Sequence, residues 1–207
     1  MYIPSFNLLT DKQEAISFMQ KYSFATIITA INEIPEATHL PFLVRQENDK
    51  IFVLSHFAKA NPQSAQIIYK TSLVIFTEPH AYISPRNYEK EESVPTWNYI
   101  AVHAYGKAII IEEESKKAAL LKHTIEFYDA SYMQQWDKLS DHFKSKMMNG
   151  IVAFEIEVTD LQGKQKLSQN RTEQERENII SSLSKSTDTN EKEIAAYMEK
   201  LKAKQKP

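Results

Sequence analysis

Three runs rich in Ile, Thr, Phe and Leu, residues 24–31, 37–44 and 51–55, follow one another with only short polar breaks between them. Parallel strands need a crossover of a dozen or more residues, and no such segment fits in these breaks. The runs must therefore fold back on each other as antiparallel hairpins. Strand-like segments return at 72–77, from Tyr82 to the charged loop 86–93, at 97–111 and at 151–158. Six or seven short strands interrupted by helices predict a small antiparallel barrel rather than a doubly wound sheet.

Helices are marked by their caps and periods. Thr10 and Gln13 have capping-box spacing before Ala15, Ile16, Phe18, Met19 and Tyr22, which predicts a helix over 11–22. Asn61-Pro62 opens a short helix to about Ile68. Residues 112–149 carry a stripe of Ala118, Leu121, Ile125 and Tyr128, with Gly150 placed as a C-cap. Thr172 and Glu175 repeat the capping-box spacing and open two charged helices over 172–185 and 191–204. The expected division is a domain over 1–171 and a helical extension over 172–207.

The composition excludes several classes. A formal net charge of −2 argues against a chain whose main work is neutralising phosphate backbones. With no cysteine there is no thiolate metal site, disulfide or Cys nucleophile. Three glycines form neither a Walker loop nor a dinucleotide-binding turn. Six scattered histidines show no metal-ligand spacing, and no Gly-x-Ser-x-Gly elbow is present. A start without a basic-then-apolar leader, and no apolar run near ~20 residues, predict a cytoplasmic protein without a membrane anchor.

Three clusters could carry chemistry. His56, Lys59 and Asn61 stand between a strand and a helix start, where donors can meet an anion. The same residues also suit a packed imidazole, a solvated lysine and a cap. Thr26, Thr29, Thr38 and His39 on the first hairpin could face a ligand or serve as ordinary strand residues. The aromatic segment 79–108 alternates so that Trp97, Tyr99 and His103 share one face and Asn98, Ala104 and Gly106 the other, as a pocket wall or a subunit face. Lys164, Lys166 and Arg171 flank a polar loop that could bind an anion or dock the last helices. A modest basic tail, Lys200, Lys202, Lys204 and Lys206, reads as a solvated helix end.

Ordered blocks then carry a resemblance: Phe24-Ala25-Thr26, Ala37-Thr38-His39-Leu40-Pro41, His56-Phe57-Ala58-Lys59-Ala60-Asn61-Pro62-Gln63, Pro79-His80-Ala81-Tyr82-Ile83-Ser84-Pro85, Val94-Pro95-Thr96-Trp97-Asn98-Tyr99, Val102-His103-Ala104-Tyr105-Gly106, Gly150-Ile151-Val152 and Lys166-Leu167-Ser168-Gln169-Asn170-Arg171. Nearly the whole chain resembles the PaiB family of FMN-binding negative transcriptional regulators of protease synthesis and sporulation. The resemblance implies an α+β fold, an antiparallel split β-barrel with peripheral helices and a C-terminal helical extension, assembled as a homodimer with FMN at the interface. By that likeness His56, Lys59 and Asn61 hold the flavin phosphate and ribityl chain, Thr26, Thr38 and His39 line the pocket, and Trp97 and Asn98 lie beside the ring or across the interface. The chain departs from relatives at Ser64, where they carry Trp, and at 32–35, which lacks their turn glycine. The resemblance to regulators leaves DNA open as a partner, but neither a helix-turn-helix nor any other DNA-binding signal is evident in the sequence. The alternative is an FMN-dependent oxidoreductase, with His80, Tyr82 and His103 in the right segment to donate protons. Haem binding through a histidine ranks last.

Overall fold

The computed structural model describes residues 1–205. Seven strands form one sheet: β1 (Phe24–Ile31), β2 (Ile34–Pro41), β3 (Leu43–Glu47), β4 (Lys50–Ala58), β5 (Thr71–Ile83), β6 (Thr96–Ile110) and β7 (Ile151–Lys166), in the order β2-β1-β5-β6-β7-β4-β3. The registered pairs β1–β2, β1–β5, β3–β4 and β4–β7 are all antiparallel. This is the α+β split-barrel architecture, with helices α1 (Lys12–Lys21), α2 (Gln63–Gln66), α3 (Glu114–Asp129), α4 (Met133–Lys138), α5 (Asp141–Met148), α6 (Glu173–Ser184) and α7 (Thr189–Gln205).

Several boundaries differ from expectation for local reasons. Asp11 rather than Thr10 caps α1, accepting from the Gln13 and Glu14 amides at 2.9 and 3.1 Å. The expected second strand divides at Phe42, which is 0% exposed and whose amide donates to the Ser23 carbonyl at 2.8 Å. The following strand, β4, pairs with the later piece, Leu43 opposite Leu54 and Val44 opposite Val53. The long helical stretch is three helices: Asp129 caps the 3-10 turn Ala130–Tyr132 that leads into α4, and Ser140 caps α5. Gly150 follows α5 without a positive φ, so the helix ends there without the left-handed cap. The Thr172–Glu175 capping box is present in full.

The chain divides into two compact units, and β5, β6 and β7 contribute residues to both. One unit comprises 1–15, 77–102 and 162–207; among its described residues the core includes Ile83, Ile100, Leu167, Ile179, Ile194 and Met198. The other comprises 16–76 and 103–161, centred on Phe42, Phe57, Phe76 and Phe154. Phe57 stacks on Phe154 at 5.1 Å, and Phe42 meets Phe76 edge-on at 5.8 Å. Gly106 is required by close approach: a Cβ there would lie 2.2 Å from the Glu157 carbonyl oxygen. None of the described helices is long and apolar enough to cross a membrane.

Candidate functional site

The β1–β2 hairpin sorts its polar residues by strand alternation. Register places Thr26 opposite His39 and Ile27 opposite Thr38, so these two pairs point to opposite faces. On the outer face, the Thr26 hydroxyl and His39 Nδ1 are 2.9 Å apart. Phe24, 70% exposed, stacks on the His39 ring at 6.4 Å between centroids. The outer face is thus an accessible hydroxyl, imidazole and aromatic ring in one row.

On the inner face, Thr38 belongs to a different network. Its hydroxyl donates to Gln63 Oε1 at 2.6 Å and accepts from Asn61 Nδ2 at 3.0 Å. Gln63 is 1% exposed, and its Nε2 lies within 3.3 Å of the Ile27 carbonyl, the Thr29 hydroxyl and the Glu36 carbonyl. Thr29 in turn meets Ser72 at 3.0 Å. A buried amide that spends both ends on the hairpin fixes the loop 59–62 against β2. Gln63 is the organiser of this region, and no spacing signal singled it out.

Asn61 Oδ1 also accepts from the Gln63 amide at 2.9 Å, so it caps the single turn α2, shorter than the helix expected to Ile68. Lys59 follows β4, exposed, with its backbone amide tied to the Gly150 carbonyl at 2.8 Å and its ammonium without an ion partner among the described residues. His56 is half-buried, on the face of β4 opposite Ser55 and Phe57. Burial pushes its imidazole below the usual histidine range, so it is neutral near pH 7. Of the three residues assigned to an anion, Lys59 alone carries positive charge.

Trp97 and Asn98 belong to the other unit. Trp97 is 51% exposed and meets Tyr82 edge-on at 5.8 Å and His80 at 5.9 Å. Asn98 is 0% exposed, with its amide held by Ser168 and Met198, so direct ligand contact does not fit it. The basic tail is paired rather than simply solvated. Lys200 and Lys204 reach Glu14, and Lys202 reaches Glu173 and Glu177; Lys206 lies outside the described residues.

A groove of about 640 Å³ runs between α3 and the sheet, with Leu43, Leu54, Ile111, Leu120 and Phe127 as its apolar wall. Its cations are already engaged: Arg45 pairs with Glu47 and Glu155, and Lys116 with Glu113. The α3 residues at this groove, Lys116, Ala119, Leu120, His123 and Phe127, are not those of the expected stripe of Ala118, Leu121, Ile125 and Tyr128.

Against known proteins, residues 1–160 match the family model described as "Putative FMN-binding domain". The chain is 41% identical over 206 residues to the protease synthase and sporulation protein PAI 2 of Bacillus subtilis, covering 98% of this chain and 99% of that one. Solved structures show the same fold at low identity. The flavocytochrome Anf3 of Azotobacter vinelandii has a TM-score of 0.59 and 17% identity, covering 75% of this chain and 67% of that one. A FAD and heme binding protein of Mycobacterium smegmatis has a TM-score of 0.62 and 12% identity, covering 77% and 73%.

Proposed function

This chain belongs to the PaiB family of FMN-binding split-barrel proteins, and from that premise we propose that it is an FMN-binding dimer that represses genes for degradative (protease) enzymes and sporulation. The observation that carries the reading is the end-to-end 41% identity with PAI 2, whose name joins protease synthesis to sporulation.

The donor set fits FMN. Lys59 offers an uncompensated, exposed ammonium suited to a phosphate, as no glycine loop could. Asn61, Thr38 and Gln63 hold its loop in place, and the Thr26–His39 pair offers polar atoms beside the exposed Phe24 ring. In this reading Lys59 holds the phosphate, Thr26 and His39 meet the ribityl chain or ring edge, and Asn61 with Thr38 positions Lys59. His56 contributes as a neutral imidazole. When bound, FMN supplies one- or two-electron redox chemistry.

A flavin titration followed by the visible absorption band tests the cofactor: saturable binding is expected in the wild type and a large loss in the Lys59→Ala, Asn61→Ala double variant. A mobility-shift series across salt tests the regulator. A shift on DNA upstream of protease or sporulation genes, weakening as salt rises, is expected; no shift at low ionic strength removes direct repression.

One observation favours the oxidoreductase alternative. His103 Nδ1 is buried without a hydrogen-bond partner, and burial lowers its pKa. Steady-state oxidation of NAD(P)H by the flavin-loaded protein would support that reading.

A further inference from the structure

The groove between α3 and the sheet includes neither Lys59 nor the Thr26–His39 pair, and all of its lining residues fall in one compact unit. Its floor is a cross-strand row: Leu43 of β3 stands opposite Leu54 of β4, which stands opposite Glu155 of β7. The wall is α3, where Lys116, Leu120, His123 and Phe127 recur at three- and four-residue spacing on one face. Both ends of that wall are fastened. The Ile111 amide donates to the Ala153 carbonyl at 2.9 Å just before the helix, and Tyr128 shares a 2.6 Å hydrogen bond with Ser23 at its far end. The groove is therefore preformed, and its volume of about 640 Å³ is within the range of small-molecule sites, ~300–1,000 Å³.

The lining selects the occupant. Leu43, Leu54 and Ile111 are half-buried and Phe127 is 48% exposed, so apolar surface is left against water. Apart from Phe127 this apolar surface is aliphatic, which suits a flexible chain better than a flat ring system. From Lys116 to Phe127 the helix advances about 16 Å, room for a chain of medium length. The charges are sorted as well. Glu155, the acid in the lining, is answered by Arg45, which also pairs with Glu47 and lies over the Phe52 ring. Lys116 pairs with Glu113, which does not line the groove; both side chains are more than half exposed, so the pair is screened and readily exchanged. His123 makes no hydrogen bond among the described residues. An exchangeable ammonium and an open imidazole beside an aliphatic floor favour an anionic head on an apolar body.

We propose that this groove is a ligand site, distinct from the flavin site, for an aliphatic monocarboxylate of the free fatty acid class. The chain lies along α3 over Leu43, Leu54 and Leu120 toward Phe127, and the carboxylate takes Lys116 in place of Glu113. The site does not rest on the FMN reading.

The test is calorimetric titration of octanoate, decanoate and decanol, each below its micellar concentration, into the full-length protein with and without excess FMN. Decanoate should bind about tenfold more tightly than octanoate, which is two methylenes shorter, and about tenfold more tightly than decanol. Lys116→Gln should weaken decanoate to the level of decanol and leave decanol unchanged, while Lys116→Arg keeps the affinity for the acid. Ala119→Trp, at an exposed helix position, should fill the groove and abolish binding of both; thermal unfolding checks the fold of each variant. The visible band of the flavin reports FMN in the same samples, so a protein that binds decanoate without FMN fails the flavin reading alone. No saturable decanoate binding, displacement of decanoate by FMN, equal affinity for decanol, or unchanged affinity in folded Lys116→Gln or Ala119→Trp protein would overturn the proposal.

Discussion

Asn98 and Ser168 satisfy each other: Asn98 Nδ2 donates to Ser168 Oγ at 3.0 Å, and that hydroxyl donates back to Asn98 Oδ1 at 3.1 Å. Both are buried, and Ser168 holds a φ of 59° to make the exchange. A non-glycine residue in the left-handed region persists where its surroundings over-determine it. Here the reciprocal bond joins β6 to the turn that leads into α6.

Ser168→Ala should therefore cost about 1–3 kcal/mol, because Asn98 loses its partner in a dry site. Asn98→Asp should cost more, since it buries a carboxylate with no cation beside it. Urea unfolding of both variants measures this. Equal stability of the wild type and Ser168→Ala would show that the pair contributes nothing.

Glu14 gives a pH-dependent contribution. Its side chain is 13% exposed and meets Lys204 at 2.8 Å and Lys200 at 3.3 Å, joining α1 to α7. Burial acts to raise its pKa, but the hydrogen bonds and charges of Lys204 and Lys200 outweigh this and leave it below the ordinary value. A lowered folded-state pKa makes the contribution full above the unfolded value of about 4.3 and lost as pH falls through the folded one. Glu14→Gln should cost about 1 kcal/mol at neutral pH, with both lysines partly solvated. The difference from wild type should shrink steadily as unfolding is measured at lower pH. A difference that is constant from neutral to acid would refute the ion pair as its source.

The hairpin turn offers a gain in stability. Ile31 pairs with Ile34, leaving Asn32 and Glu33 as a two-residue turn with φ of 51° and 66°. A turn with both central residues left-handed favours Asn-Gly, and Asn32 is already in place. Glu33→Gly should remove the Cβ strain and stabilise by about 0.5–1 kcal/mol after the unfolded chain's added freedom is counted. A higher midpoint in thermal unfolding is expected, while Asn32→Ala should lower it.

The same turn shows what local pattern reveals and what it hides. Short breaks between apolar runs were enough for antiparallel strands, because loop length alone forbids crossovers. The faces of Trp97, Tyr99 and His103 on one side of β6 and of Asn98, Ala104 and Gly106 on the other were legible from parity. The division at Phe42 was not, because it depends on a core position that local sequence does not mark. Thr26, Thr38 and His39 were recognisable as a polar set, but only the Thr26–His39 register separates the accessible pair from the internal Thr38. Gln63 looked like one polar residue at the start of a short helix. Its importance lies in four partners distant in sequence, which no spacing rule encodes.

That buried amide makes the roles of Lys59 and Asn61 separable. Lys59 is exposed and its side chain makes no hydrogen bond or ion pair among the described residues, so Lys59→Ala should leave stability within about 0.5 kcal/mol while weakening FMN through lost charge. Asn61→Ala removes the donor to Thr38 and the acceptor for the Gln63 amide, and should cost about 1–2 kcal/mol together with flavin affinity. Raising salt should weaken FMN binding to the wild type more than to Lys59→Ala, because only the former uses that cation. Binding measured across ionic strength, beside urea unfolding of each variant, separates the two roles. If Lys59→Ala binds FMN as tightly as the wild type, the phosphate is held elsewhere and Asn61 is a structural cap alone.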